Sequence, residues 1–285
     1  MLGFLNINKP SGVTSNFIVN NVKRKLNTKK VGHFGTLDPL ASGVLPIAVG
    51  RATKLFDYFL DKEKVYIATF EFGYLTDTLD SEGIIEERTQ IIPTKEDIER
   101  ILPTFKGKQA QIPPMYSAKN VNGVRAYTLA RKGEKVELKP KDIEIFNIEL
   151  IEQVSKTVFK FKIHCSSGTY IRSIARDLGE KLNSLGTMIG LIRSQSGIFK
   201  LNNAIDINDD NLVNKLITIE EVLPNVPKIT VDEKFYTKLT NGVSIYYKVN
   251  IEECLVYCKD ELFGIGRVID NSLKVKINLR EIWLW

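Results

Sequence analysis

Functional side chains are most concentrated in the segment Gly32-His33-Phe34-Gly35-Thr36-Leu37-Asp38-Pro39-Leu40-Ala41-Ser42-Gly43. Its glycines let backbone approach a ligand closely. Pro39 restricts Asp38 to extended geometry, which aims a carboxylate out of a loop. The plain alternative is a turn in which Asp38 bonds its own backbone. A second concentration is Gly168-Thr169-Tyr170-Ile171-Arg172, a polar turn that opens a helix and sets Tyr170 and Arg172 in its first turn. An arginine there can pair with a carboxylate or a phosphate, or simply stand exposed at a helix start. Tyr66, within a run of β-branched and aromatic residues, reads alone as a core strand tyrosine.

Other chemistries find no support. There is no P-loop and no Rossmann glycine fingerprint after a strand, and no nucleophile-elbow sequence. The chain has two histidines, His33 and His164, and three cysteines, Cys165, Cys254 and Cys258. That set is too sparse for the four closed ligands of a structural zinc site, so no metal is expected. An odd cysteine number without framework spacing points to a reducing cytoplasm. No apolar run approaches the roughly 20 residues of a membrane span, and the apolar N-terminus is too short for a secretory signal.

The elements that must position these groups follow from pattern. Gly3–Ile7 reads as a strand, followed by a turn at Pro10-Ser11-Gly12 and a helix capped by Thr14 or Ser15, with Phe17, Ile18, Val22 and Leu26 at helical spacing. Residues 31–43 are loop, 44–49 a buried strand or apolar turn, and 51–60 an amphipathic helix. Strands are expected over Val65–Phe72 and Ile84–Ile92, then a helix capped by Thr94 with Asp97 three residues on. Residues 103–133 interleave Gly, Pro, Lys and Tyr around an expected Asn122-Gly123 turn, and read as a long excursion from the core, of a kind that is usually functional or disordered. Strands near 143–151 and 157–165, a helix over 170–184 and a strand at 187–192 follow. Pro224 and Pro227 bracket a linker, and 229–285 reads as a small all-β unit.

The chain has 285 residues, enough for one large domain or two unequal ones, and 43% of them are hydrophobic, enough for a proper core. Its net charge of +6 is unevenly spread: residues 1–62 carry nine basic and three acidic residues, 105–141 nine and two, and 229–285 eight of each. Two concentrated basic segments are the footprint of a polyanion-binding surface.

Taken together, several segments resemble the TruB family, the tRNA pseudouridine-55 synthases. GHFGTLDPLASGVLP (32–46) resembles the family's catalytic loop, and NKPSGVTSN (8–16) its N-terminal Lys-Pro motif. KVYIATFEFGYLTDTLDSEG (64–83) is similar to its tyrosine-bearing strand, PPMYSAKNVNGVRAYTLARKGE (113–134) to its basic RNA-gripping insertion, and SSGTYIRSIARDLGEKL (166–182) to its Tyr-x-Arg motif. They occur in the family's order and cover most of residues 3–200.

The resemblance implies an α+β fold, the pseudouridine synthase fold: a mixed, mainly antiparallel sheet flanked by helices over residues 1–228, with the insertion at about 105–141. A weaker similarity makes 229–285 a PUA-like RNA-binding domain. It implies that Asp38 is the nucleophile, that Tyr66 stacks on the target base and serves as its base, and that Arg172 pairs with Asp38. It further implies that Tyr170 and Leu191 contact substrate, that His33 helps hold the rearranged RNA loop, and that Lys9 and Pro10 are structural. Ser167 and Ile192 depart from the family's common Lys and Arg, which leaves RNA contacts there open. The implied enzyme is a cytoplasmic monomer that acts on the TΨC arm of tRNA without a cofactor, a metal, a membrane or an obligatory protein partner.

Pseudouridine formation breaks N1–C1′ and rejoins the ring through C5, so a carboxylate is enough to split it into easier steps. Attack at C1′, glycal formation and addition to C6 all remain open. Two other readings remain: a non-catalytic RNA-binding or RNA-folding protein on the same scaffold, and a guide-RNA-dependent synthase, against which the basic insertion argues.

Overall fold

The computed structural model of the chain describes residues 1–60, 62–116 and 138–280, with short stretches at 120–121 and 124–125. Alternation is strict along the strand Lys64–Phe72: Tyr66, Ala68, Phe70 and Phe72 are buried while Val65, Ile67, Thr69 and Glu71 are half-buried. A period of two with aromatic and small residues inward produces a central strand with one buried face.

This strand lies in the middle of a ten-stranded sheet formed by the described residues. The main order is Ile205–Asp206, Gly3–Lys9, Ser42–Val49, Gly186–Ser196, Lys64–Phe72, Val158–Cys165, Lys141–Gln153 and Gly107–Gln111. Val31–His33 also pairs with Ser42–Val49, antiparallel, with His33 opposite Ile47. Pairing is antiparallel except at Ile205–Asp206 and at the joint between Ser42–Val49 and Gly186–Ser196. That joint places Gly43 opposite Arg193. A Cβ on Gly43 would lie 2.4 Å from the Arg193 carbonyl oxygen, and its φ is +102°, so only glycine lets these strands meet.

Helix Ser15–Lys25 is capped by Thr14, whose hydroxyl accepts from the Phe17 N–H, and it buries Ser15, Ile18, Val19 and Val22. Phe17 is 50% exposed, outside that stripe, where the spacing placed it inward. Thr94 and Asp97 form the expected capping box at the start of Lys95–Ile101. Helix Ile171–Lys181 buries Ile171, Ile174, Ala175 and Leu178 in the same core as Phe70, Phe72 and Met188. It ends early because the Ser184 N–H bonds the Gly179 carbonyl while Asn183 takes φ of +53°. The strand expected over Ile84–Ile92 is reduced to Ile85–Arg88, paired with Tyr74–Thr76.

Residues 219–222 form a short capped helix, and the chain then passes to a second, five-stranded sheet made of Lys228–Thr230, Glu253–Cys258, Glu261–Ile269, Ser272–Asn278 and Ile245–Tyr246. Its own core includes Ile229, Val256, Phe263 and Leu273. Leu255, Ile265 and Leu279 pack instead with Phe4, Phe34, Phe59 and Phe199 of the larger unit. No helix among the described residues is long and apolar enough to cross a membrane. The expected Asn122-Gly123 turn and most of the basic insertion lie outside the described residues.

Candidate active site

Asp38 sits in a loop tied down at nearly every residue. Ser15 donates its hydroxyl to the Leu37 carbonyl and accepts from the Leu37 N–H, both at 2.9 Å. The Gly12 N–H bonds the Pro39 carbonyl at 2.8 Å. Ser11 donates to the Leu40 carbonyl at 2.8 Å. Lys9 is fully buried and donates to the carbonyls of Pro10, Val13 and Pro39. Burial pushes its ammonium down to about 8, opposed by the charges of Asp38 and Glu82. The Lys-Pro turn and the first turn of helix Ser15–Lys25 are thus the mould of the Asp38 loop.

The carboxylate points at Arg172, with Nη2 at 3.1 Å from Asp38 Oδ2. The guanidinium has three further partners: Nη1 lies 3.4 Å from Asp80 Oδ2 and donates to the Thr78 carbonyl at 3.0 Å, and Nη2 donates to the Tyr116 carbonyl at 3.1 Å. Arg172 and Asp80 are buried, whereas the Asp38 side chain is 36% exposed. A carboxylate gripped from the protein side and open on the other is held in one orientation and remains available to a reactant.

That open side faces a cavity of about 290 Å³ lined by Asp38, Tyr66, Tyr116, Tyr170, Arg172 and Leu191, among others. Tyr66 is buried, and its phenol is pushed up to about 12 by burial, with the neighbouring Arg193 guanidinium acting against that rise. Ser167 also lines this cavity, while Ile192 is 40% exposed on the opposite face of its strand. His33 is not among the lining residues: it lies half-buried on Val31–His33, its Nδ1 is without a hydrogen-bond partner, and burial followed by Arg193 lowers its imidazole. Pro10 is exposed in the turn beside Lys9.

The profile of the TruB family pseudouridylate synthase N-terminal domain matches residues 23–171. The chain belongs to the TruB family. It is 42% identical to tRNA pseudouridine synthase B of Clostridium kluyveri, over 96% of this chain and 98% of that one. Identity is 46% to tRNA pseudouridine synthase B of Clostridium perfringens strain 13, covering 97% and 98%. It is 41% to that of Francisella philomiragia, covering 96% and 90%. The fold resembles that in the structure of an H/ACA RNP bound to a substrate RNA containing 2′-deoxyuridine, with a TM-score of 0.69 at 22% identity over 98% of this chain and 85% of that one. It also resembles the archaeal box H/ACA sRNP Nop10–Cbf5 complex, with a TM-score of 0.68 at 21% identity over 99% and 89%.

This TruB-family site contains groups that the sequence reading passed over. Arg193 is 1% exposed and donates to the carbonyls of Val44, Gly35 and Thr36 at 2.8, 3.0 and 3.4 Å. It buttresses the Asp38 loop from beneath and lies against Tyr66. Its signal was available: two positions after Leu191 in a strand, it must face the same way. Asp80, the second carboxylate on Arg172, gave no comparable signal. Lys64 is likewise a lining residue, with Nζ donating to the Lys62 carbonyl at 2.7 Å. Among the described residues, no group of three or more His, Cys, Asp or Glu is placed to hold a metal ion.

Proposed function

We propose that this enzyme isomerises uridine to pseudouridine at position 55 in the TΨC loop of tRNA, with Asp38 as the nucleophile. The observation that carries this reading is the Asp38 carboxylate held 3.1 Å from Arg172 at the wall of a cavity that also presents Tyr66 and Leu191. The substrate follows from relatives that are called tRNA pseudouridine synthase B.

A stacked uridine must leave the RNA helix to reach the carboxylate, so the base flips into the cavity. The cavity lies at the small end of the roughly 300–1,000 Å³ usual for ligand pockets, which suits a single nucleobase. Tyr66 offers it an aromatic face, and Leu191 and Tyr170 offer apolar walls. The Asp38 carboxylate bonds the reacting carbon, the N1–C1′ bond breaks, the ring turns, C5–C1′ forms, and the bond to Asp38 is broken again before product leaves. C5 gives up its proton to a base that passes it to water, and N1 gains one, so no proton is gained or lost overall. Tyr66 is protonated at rest, so accepting the C5 proton requires passing its own on first; Arg193 beside it favours the phenolate. His33, neutral and at the loop's edge, takes part in holding the opened RNA loop.

Residues 1–228 form the catalytic unit in this reading, and 229–285 a PUA-like RNA-binding unit. Lys30, Arg51 and Lys54 gather near the junction, where burial, followed by the charges of Arg51 and Lys30, lowers the Lys54 ammonium. They and the basic insertion grip phosphates, so affinity falls with salt. The enzyme works as a cytoplasmic monomer with neither cofactor nor obligatory protein partner.

The test is tritium release from a TΨC stem-loop labelled at uracil C5. Release by wild type and none by Asp38→Ala, at equal RNA affinity, is the expected result. Tight binding without release by wild type would point to a non-catalytic RNA-binding protein.

A further inference from the structure

We infer that Gln111 is a positioning residue for the reaction, fixing the helix turn that carries Arg172. It ends the edge strand Gly107–Gln111 and is 2% exposed. Its side-chain amide makes a two-point clamp on the backbone of Tyr170: Oε1 accepts from the Tyr170 N–H at 2.8 Å, and Nε2 donates to the Tyr170 carbonyl at 3.0 Å. Only one orientation of the amide satisfies both partners, so the network itself fixes it.

The clamp closes on the N-cap of helix Ile171–Lys181, where Tyr170 provides no side-chain cap. Helix starts normally rely on Ser, Thr, Asp or Asn to satisfy their leading N–H groups. A tyrosine that faces the substrate cavity supplies no such bond, and Gln111, 59 positions earlier, instead holds the N-cap residue by its own N–H and carbonyl. Two residues further along that helix, Arg172 grips Asp38 at 3.1 Å. A shift of the Tyr170 backbone therefore moves both a cavity wall and the arginine that orients the carboxylate.

The residues after Gln111 are fastened to the same helix. Ser173 and Arg176 donate to the Ile112 carbonyl at 2.8 and 3.1 Å, and Arg172 donates to the Tyr116 carbonyl at 3.1 Å. Segment 111–116 thus forms one side of the seat of Arg172, and Gln111 is the link in it that holds the helix by both backbone groups of a single residue. The assignment rests on the reading of Asp38 as nucleophile, and it gives Gln111 a role in the chemical step rather than in RNA capture.

The experiment uses the full chain and the C5-tritiated stem-loop, measuring single-turnover rate, RNA affinity and melting temperature. Gln111→Met, of similar length, removes both bonds. Gln111→Glu keeps the acceptor for the Tyr170 N–H and turns a carboxylate oxygen toward the Tyr170 carbonyl. Ser184→Ala, which removes a part-buried bond to the Ile91 carbonyl at a residue that does not line the cavity, serves as the stability control. The rate with bound RNA should fall about ten- to a hundredfold in Gln111→Met, because displacements near 1 Å carry penalties of that order. Gln111→Glu should fall between it and wild type. Affinity should stay within about twofold of wild type in both, as for a group acting only on the bound state. Ser184→Ala should lose melting temperature but not rate. An unchanged Gln111→Met rate with active wild type would overturn the inference alone. So would a rate loss matched by an equal affinity loss. Inactive wild type would instead overturn the functional reading beneath it.

Discussion

Replacing Arg193 with methionine would preserve length and apolar volume while removing every donor that holds the Asp38 loop from below. Three carbonyls lose a partner. Thr36 is exposed and water can take over its carbonyl. The bond to the Val44 carbonyl is buried and that to Gly35 part-buried, and an unsatisfied buried acceptor costs about 1–3 kcal/mol. Relief from burying a guanidinium offsets part of that loss, leaving a net destabilisation of about 2–4 kcal/mol. Urea unfolding of both proteins measures it directly. The single-turnover rate should fall about a hundredfold, since the loop and Tyr66 lose their common support, while stem-loop affinity barely changes. Arg193→Lys should lie between, because an ammonium cannot reach three carbonyls as a planar fork does. Destabilisation below about 1 kcal/mol together with an unimpaired rate would refute the claim that Arg193 braces the nucleophile.

Asp80→Asn removes the second carboxylate from Arg172 and should slow the chemical step by about tenfold or more at unchanged RNA affinity, measured by tritium release under single turnover. Lys9 should leave a mark on the pH dependence of stability. Its folded value of about 8 lies below the unfolded 10.5, so the buried charge costs stability wherever both states are protonated, and that cost is relieved as pH rises from about 8 towards 10.5. Unfolding free energies from urea titrations should therefore shift in favour of wild type over Lys9→Met by about 1–3 kcal/mol between pH 7.5 and 10; a parallel response of the two proteins would contradict this. Lys30→Ala with Lys54→Ala should weaken tRNA binding and flatten its salt dependence by about two charges' worth, read from affinity against salt concentration.

The parts of this site that were legible became so together, as motifs in the order of the TruB family. Alone, Asp38 before a proline in a glycine-rich loop also fits an ordinary turn, and Arg172 after a polar turn an ordinary helix start. The sheet was legible for a different reason, since the alternation in Lys64–Phe72 and the β-branched runs near 143–165 leave little choice of element. Bracing residues were harder to see. Gln111, Asp80 and Arg193 are ordinary polar residues whose partners lie 59, 92 and 158 positions away, so no local window contains the interaction. Phe17 was misplaced because Ser15, a small polar residue, takes the inward position at the helix start to bond Leu37, turning the buried stripe away from the aromatic ring.

The phenylalanine cluster shared by the two sheets has a historical consequence. Leu255, Ile265 and Leu279 fill the hollow around Phe4, Phe34, Phe59 and Phe199, and Arg51 reaches across to Asn278. A lineage could not acquire or shed the small sheet as a detachable cassette without also re-dressing that hollow with polar side chains. The two units are bound to evolve as neighbours, each constraining which substitutions the other tolerates, and a truncation at residue 228 would inherit a greasy scar rather than a finished surface.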